Sequence, residues 1–163
     1  FAFQHYGIKP DIVTLAKALG GGFPIGSMLA SEEAASGFAP GDHASTFGGN
    51  PLACAVGGRM VDILGGAGFL ENAAKTGEYL KARLNDLLMR EPRAVEVRGL
   101  GLLVGVEFKV EVKVLIDLCI EKGLLLVGAG PNNLRFAPPL DIGAAEVDEA
   151  MTILEKALKE WQA

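Results

Sequence analysis

The sequence is poor in cysteine and histidine, and this shortage argues against disulfide and metal sites. Its 163 residues include two cysteines and two histidines. Cys54 and Cys119 lie far apart in segments of helical pattern, which favours two small buried thiols over a disulfide or a metal site. His5 and His43 are also far apart and lack acidic or thiol neighbours, so we predict no metal site. This composition fits a reducing compartment such as the cytoplasm.

Long apolar runs and clusters of basic residues are missing as well. No apolar run reaches the roughly 18 residues that a membrane span needs, and no signal peptide is visible, although sequence upstream of Phe1 could hold one. The formal net charge is −5, from 20 acidic and 15 basic residues. Because lysine and arginine do not cluster, the chain has no electrostatic footprint for nucleic acid. We therefore expect neither a membrane nor a nucleic-acid partner.

Apolar residues, in contrast, are plentiful. They make up 50% of the chain, which is ample for a core. The mean hydropathy of +0.31 is high for a self-contained soluble domain. This value predicts surfaces that are covered by a missing part of the protein or by a second subunit.

One lysine lies between an apolar strand and a glycine-rich turn. Ile12 to Ala16 is predicted to be a short buried strand, because it is rich in β-branched and apolar residues. Lys17 follows it, and a lysine there must reach solvent, pair with a carboxylate or serve a chemical role. The glycines Gly20 to Gly22 would let the backbone adopt positive φ and approach a ligand closely. A lysine in such a cramped, partly desolvated place is suited to form a Schiff base with an aldehyde.

Periodicity and turn residues predict the remaining elements. A long loop from Gly37 to Asn50 and a break at Gly65 to Gly68 interrupt the pattern, and the break is the predicted domain boundary. Helices are predicted from Pro51 to about Leu64, Phe69 to about Arg90, about Val112 to Lys122, and Ala144 to Trp161. Strands are predicted at Ile25–Ala30, Val95–Arg98, Leu102–Phe108, Leu124–Val127 and Leu134–Ala137.

Three segments carry a resemblance to a known family. Thr14–Gly26, with the sequence TLAKALGGGFPIG, resembles the cofactor-lysine segment of class III pyridoxal-phosphate aminotransferases. Phe1–Gly7 and Gly41–Cys54 are most similar to the acetylornithine aminotransferases of that class, and Leu134–Leu140 matches near the end of the chain. The resemblance implies an α/β, fold-type I transferase of which this chain is the C-terminal part, with roughly the first half missing. Residues 1–66 would then be the remnant of the large cofactor-binding domain, and residues 67–163 the small C-terminal α+β domain.

The resemblance also implies four site residues and a homodimer with shared active sites. Lys17 would hold pyridoxal 5'-phosphate covalently and move a proton during catalysis. Thr46 would bind the cofactor phosphate of the neighbouring subunit, Ser45 would contact the amino-acid substrate, and Arg135 would bind the substrate α-carboxylate.

The residues themselves leave alternatives open at two of these positions. A Ser-Thr turn at Ser45 and Thr46 that caps the helix beginning at Pro51 is also compatible with the sequence. Arg135 lies in an apolar run and must find an anion or water, so a structural salt bridge is open as well. Arg98, which precedes a glycine-containing turn, is interpreted as structural.

The implied reaction is transamination of N-acetylornithine with 2-oxoglutarate in arginine biosynthesis. Alternatives of the same class are ornithine aminotransferase and succinyl-diaminopimelate aminotransferase, and a different alternative is a non-catalytic folding or assembly piece. In the family, upstream sequence supplies the acidic partner of the pyridine nitrogen, the stacked aromatic residue, the phosphate-binding glycine loop and a second carboxylate-binding arginine. The isolated chain is therefore expected to be inactive or nearly so.

Overall fold

The computed structural model describes residues 1–162 and divides the chain into two compact units, Phe1–Gly65 and Gly66–Ala163. The division falls in the glycine-rich segment that follows the third helix. That the first unit is the remnant of a large domain and the second a small domain stays a prediction.

The first unit consists of short elements around one longer helix. Strand β1 pairs antiparallel with β2, and Leu15 lies opposite Ser27. Ser31 caps α2 by accepting a hydrogen bond from the Ala34 N–H. The predicted loop of residues 37–50 contains no helix or strand. The elements are α1 (Ala2–His5), β1 (Ile12–Leu15), a 3₁₀ helix (Lys17–Gly20), β2 (Ser27–Ala30), α2 (Glu32–Ala35) and α3 (Pro51–Leu64).

The prediction that the first strand is buried is wrong for this unit. Residues of β1 alternate between exposed and half-buried, and Ile12 is 51% exposed. The reason is that β1 has a single neighbour, β2, and this two-stranded sheet has no apolar layer over it within residues 1–65. Large apolar side chains remain exposed in this unit: Phe1, Tyr6, Ile8, Met28, Leu29, Phe38, Phe47 and Leu52.

The second unit is a four-stranded antiparallel sheet with three helices. Its strand order is β3-β4-β6-β5. An antiparallel sheet with helices packed against it is an α+β arrangement. The elements are α4 (Phe69–Leu88), β3 (Ala94–Leu100), β4 (Leu103–Phe108), α5 (Lys113–Glu121), β5 (Val127–Gly128), β6 (Asn133–Phe136) and α6 (Ala144–Glu160).

One predicted strand is shorter and later than expected. The sequence predicts it over residues 124–127, whereas β5 begins only at Val127. The Leu124 N–H instead donates to the Cys119 carbonyl at 2.9 Å, which completes the C-terminal end of α5. Gly123, with a φ of +93°, makes this helix ending possible.

The core of the second unit lies between one face of the sheet and the helices. Val104, Val106 and Phe108 on β4 are almost fully buried, as are Leu134 and Phe136 on β6. Apolar stripes of α4 and α6 pack into the same cluster. Burial of each such side chain contributes about 1.5–3 kcal/mol. The stripe residues in this cluster are Leu80, Leu84, Leu87, Leu88, Val147, Met151, Leu154 and Leu158.

The two cysteines differ in environment. Both are free; Cys119 on α5 is buried, but Cys54 on α3 is exposed, so the prediction of two buried thiols is wrong for Cys54. The physical reason is that only Ala53 and Gly57 are buried along α3 in the first unit, so one narrow stripe is covered. Burial raises the pKa of the Cys119 thiol to about 11.

The helices differ in the length and apolar character that a membrane-spanning helix needs. Among residues 1–162, no single helix is both long and apolar enough to cross a membrane. The longest helix, α4, has 20 residues but carries charged side chains on its solvent face.

Candidate functional site

Lys17 has an unusual backbone conformation. It directly follows β1 and opens the 3₁₀ helix with a φ of +50°, the one positive φ of a non-glycine residue in the described chain. A non-glycine residue in this region costs about 1–3 kcal/mol and is typical of functional sites. The turn is held by backbone hydrogen bonds from Leu19 to Ala16 and from Gly21 to Ala18, both of 3.1 Å. The fold thus fixes the backbone at the candidate cofactor lysine.

The glycines after Lys17 allow close packing of the turn as well as positive φ angles. A Cβ on Gly20 would lie 2.8 Å from Cγ2 of Ile25, and one on Gly21 would lie 2.7 Å from the sulfur of Met60. Gly21 and Gly22 have the predicted positive φ, but Gly20 does not. Gly22 alone of the three has no protein atom within 4 Å of its Cβ position. The turn therefore packs on α3 through Gly21 and on Ile25 through Gly20, and it leaves open space at Gly22.

The cramped, partly desolvated environment predicted for Lys17 is not formed by the first unit. The Lys17 side chain is exposed and makes no ion pair or hydrogen bond within residues 1–162. Lys17 is exposed for the same reason as β1: the two-stranded sheet has no covering layer within the first unit. The amine is accordingly available to a ligand.

The loop that holds Ser45 and Thr46 forms two consecutive turns. The Gly48 N–H donates to the Ser45 carbonyl and the Asn50 N–H to the Phe47 carbonyl, each at 3.2 Å. The N–H groups of Thr46 and Phe47 have no acceptor in the described part of the chain. Free N–H groups beside a hydroxyl form a suitable cradle for an anion.

The helix cap next to this loop is Asn50, not Ser45 or Thr46. The Asn50 side-chain oxygen accepts from the N–H groups of Leu52 at 3.0 Å and Ala53 at 3.1 Å, and Pro51 occupies the first turn. The capping role that the sequence left open for the Ser45–Thr46 turn is thus already filled. Sequence reasoning missed Asn50, although an asparagine directly before a proline-initiated helix is a recognisable signal.

Arg135 lies on the open face of the second unit's sheet. On β6 it alternates with the core residues Leu134 and Phe136, it is exposed, and it pairs with Gly105 on β4 and Val127 on β5. It makes no ion pair in residues 1–162. The structural salt bridge that the sequence left open is therefore not formed among these residues. Arg135 lines a shallow groove of about 430 Å³ together with Arg98, Leu103, Gly105, Ala129 and Asn133.

Arg98 binds the two acidic side chains on this face of the sheet. Its guanidinium contacts Glu96, donates to Glu107 at 2.6 Å and donates to Asn133 at 2.7 Å. The hydrogen bond to Glu107, followed by that to Glu96, raises the pKa of Arg98. The interpretation of Arg98 as structural agrees with these contacts. Sequence reasoning missed its partners, because alternation gives the face of a residue within its own strand but not the register between strands.

The candidate residues are distributed over both units. Lys17, Ser45 and Thr46 belong to the first unit, and Arg135 to the second. No hydrogen bond joins Lys17 to Ser45 or Thr46 within residues 1–162.

Comparison with known proteins decides the family. The model of the family described as "Aminotransferase class-III" matches residues 1–158. The chain belongs to the class-III aminotransferases. The family uses pyridoxal phosphate, and the α/β fold-type I architecture inferred from the sequence is confirmed by the structural neighbours.

Several relatives of this class-III chain are named as transaminases of ornithine derivatives. It is 48% identical over 161 residues to the acetylornithine aminotransferase of Caldanaerobacter subterraneus, covering 98% of this chain and 41% of that protein. It is 44% identical to the succinylornithine transaminase of Photorhabdus laumondii, covering 97% of this chain and 40% of that protein. Among solved structures, the acetylornithine aminotransferase of Elizabethkingia anophelis has a TM-score of 0.88 at 34% identity, covering 98% of this chain and 43% of that one. The chain thus spans about two fifths of the length of these relatives.

Proposed function

We propose that this chain carries the cofactor lysine and a substrate-carboxylate site of an aminotransferase that transfers the δ-amino group of N-acetylornithine to 2-oxoglutarate in arginine biosynthesis. The observation that carries the proposal is the Lys17 segment within a chain 48% identical to an acetylornithine aminotransferase. A relative named succinylornithine transaminase and a structure of the Plasmodium falciparum ornithine δ-aminotransferase make other ornithine derivatives the competing donors.

The residues of the first unit fit pyridoxal phosphate. Lys17 has an exposed amine without an ion pair, and Gly22 leaves open space beside the turn. Thr46 offers a hydroxyl next to backbone N–H groups that have no acceptor in residues 1–162. Pyridoxal phosphate carries an aldehyde, which an amine can bind covalently, and a phosphate, which free N–H groups and a hydroxyl can bind. The first unit offers both kinds of group. We propose that Lys17 holds it covalently and that Thr46 binds its phosphate in the neighbouring subunit's site.

Each candidate residue then has a defined task. When bound, pyridoxal phosphate supplies an aldehyde and an electron-withdrawing ring that stabilises negative charge on the substrate carbon. Lys17, through its Nζ, would accept the proton from the substrate carbon that bears the transferred amino group, which is Cδ in N-acetylornithine and Cα in glutamate, and would deliver it as a general acid to the aldehyde carbon of the cofactor. Arg135 binds the substrate α-carboxylate through two charge-assisted hydrogen bonds from its planar guanidinium. Ser45 contacts the amino-acid substrate.

We propose that the protein acts as a cytoplasmic homodimer. The loop with Ser45 and Thr46 is exposed, as are the apolar residues Phe38, Phe47 and Leu52 on and beside it. Exposed apolar residues around a functional loop support a site that a second subunit completes. Two free cysteines agree with a reducing compartment.

Covalent trapping tests the role of Lys17 directly. The protein that carries this chain is incubated with pyridoxal phosphate, reduced with borohydride, digested and analysed by mass spectrometry. The phosphopyridoxyl group should be found on Lys17, should disappear in Lys17→Ala, and should persist in Lys9→Ala, which removes another exposed lysine of the same unit. Labelling spread over several lysines, or none, would favour the alternative of a non-catalytic assembly piece.

Donor competition tests the substrate. We expect N-acetylornithine to have the highest kcat/KM among N-acetylornithine, ornithine and N-succinylornithine, with 2-oxoglutarate as the common acceptor. A higher value for ornithine or N-succinylornithine would reassign the donor while leaving the proposed chemistry of Lys17 unchanged.

A further inference from the structure

Two rows of side chains cross the open face of the second unit's sheet. In the first row, Arg98 on β3 lies opposite Gly105 on β4, which lies opposite Arg135 on β6. In the adjacent row, Glu96 lies opposite Glu107, which lies opposite Asn133. Two arginines thus flank a glycine, and two carboxylates lie one row away.

Arg98 binds all three members of the adjacent row. It contacts Glu96 on its own strand, Glu107 on β4 at 2.6 Å and Asn133 on β6 at 2.7 Å. Its side chain reaches β6 across β4, in the row next to Gly105, which carries no long side chain. Both carboxylates of the row are therefore occupied by one guanidinium.

Glu107 is the carboxylate that would compete for Arg135. It lies two residues from Gly105, the direct partner of Arg135, and on the same face of the sheet. Such diagonal neighbours are about 7–8 Å apart, which long side chains can bridge. Glu96 is less able to compete, because β3 is separated from β6 by β4.

We propose that Arg98 is a positioning residue that holds Glu107 and so leaves the Arg135 guanidinium open to the carboxylate of a substrate. The inference rests on the proposed function, in which Arg135 binds that carboxylate. It extends the role of Arg98 from structural support to control of the substrate site.

Kinetics of four variants test the proposal in the protein that carries this chain. Arg98→Met keeps an unbranched apolar stem but removes the guanidinium and so releases both carboxylates. It should raise the KM for 2-oxoglutarate by up to about fivefold, because an exposed ion pair between Glu107 and Arg135 would compete with the substrate carboxylate with about that strength. Because Arg98 touches no reacting atom, kcat should stay within about twofold. Glu107→Gln alone should behave like the parent protein.

Rescue separates positioning from simple support of the sheet. Arg98→Met combined with Glu107→Gln should return the KM to near the parent value, because the competing charge is gone. The matched control, Arg98→Met combined with Glu96→Gln, should remain impaired. The proposal is overturned by an unchanged KM in Arg98→Met, by failure of Glu107→Gln to rescue, or by equal rescue from Glu96→Gln.

A crystal structure of Arg98→Met provides a readout independent of activity. The Glu107 carboxylate should lie within about 4 Å of the Arg135 guanidinium, the limit for an ion pair. Absence of this pair overturns the inference about Arg98. Presence of the pair together with an unchanged KM in Arg135→Leu would instead overturn the proposed function of Arg135, so the two failures are distinguishable.

Discussion

Gly77 on α4 packs directly on the backbone of Gly101, in the turn between β3 and β4. A Cβ on Gly77 would lie 2.1 Å from the Gly101 carbonyl oxygen and 2.3 Å from its carbonyl carbon. Real Cβ atoms do not approach backbone this closely, so the helix and the turn can meet only through a glycine. This contact joins α4 to the sheet that carries Arg135.

Gly77→Ala should therefore destabilise the second unit even though alanine is the better helix former by about 1 kcal/mol. Overpacking against backbone should outweigh that gain and leave a net loss of about 1–3 kcal/mol in the free energy of unfolding. The measurement is urea unfolding followed by the fluorescence of Trp161, the single tryptophan of the sequence. Gly105→Ala is the control, because its Cβ would have its nearest neighbour at 3.9 Å. Equal stability of Gly77→Ala and the parent would contradict the packing argument.

Replacing Arg135 should affect substrate binding and spare cofactor attachment. Arg135→Lys keeps the charge but loses the planar fork, so it should raise the KM for 2-oxoglutarate and lower kcat/KM. Arg135→Leu loses both and should cost about 2–5 kcal/mol in transition-state stabilisation. Steady-state kinetics measure both effects, and borohydride trapping should still label Lys17. Loss of folding in Arg135→Leu with an unchanged KM in Arg135→Lys would mark the arginine as structural.

Subunit mixing should reveal whether Thr46 serves the neighbouring subunit. Lys17→Ala and Thr46→Ala homodimers should each be impaired. A mixed dimer would contain one site with both residues and one site with neither, so activity should partly recover after subunit exchange. The assay compares mixed and unmixed samples, with exchange verified by differently tagged subunits. If exchange occurs and activity does not recover, Lys17 and Thr46 serve the same subunit's site.

The two thiols should react at very different rates. Cys54 is exposed, whereas Cys119 is buried and its pKa is raised to about 11. Because the thiolate is the reactive form, the Cys119 thiol is almost fully protonated at pH 8. Titration of this 163-residue chain with a chromogenic disulfide at pH 8 should give one fast thiol, absent in Cys54→Ser, and a second only after denaturation. Two fast thiols in the folded chain would argue against burial of Cys119.

A cluster of Glu91, Arg93 and Trp161 should stabilise the second unit in a pH-dependent way. Arg93 binds Glu91 through two hydrogen bonds of 2.7 and 2.9 Å, and its guanidinium lies 3.8 Å from the centre of the Trp161 ring. The hydrogen bond from Arg93 lowers the pKa of Glu91 below its usual 4.5. The stabilisation is therefore present above about pH 4.5 and is lost as the pH falls through the lowered pKa.

Arg93→Ala should consequently lower the free energy of unfolding by about 1–3 kcal/mol at pH 7. The loss should shrink as the pH falls below the usual pKa of glutamate, which urea unfolding at several pH values would measure. Lys113→Ala removes an exposed ion pair with Asp117 and is the control, with an expected change below about 0.5 kcal/mol. A loss in Arg93→Ala that is the same at pH 3 and pH 7 would exclude Glu91 as the titrating partner.

Local patterns in the sequence were sufficient to predict most of the helices and strands and to identify the family. The apolar spacing of α4 and α6 predicts their buried stripes, because a helix repeats its faces with a fixed period. Ser31 and Pro51 mark helix starts through local hydrogen bonding and backbone geometry, which need no distant partner. The Lys17 segment identifies the family because its residues are contiguous.

Tertiary structure alone decided exposure and the pairing of charges. The sequence predicts that β1 and Cys54 are buried, but burial depends on which layers cover an element, and the first unit supplies none over them. Likewise, the sequence leaves a salt bridge open for Arg135, and the strand register instead brings Glu107 to Arg98, which also contacts Glu96 on its own strand. Arg98 binds Glu107 and Asn133, which are 9 and 35 positions away in the sequence, because the strand register places them beside it. Local spacing in the sequence does not encode this register.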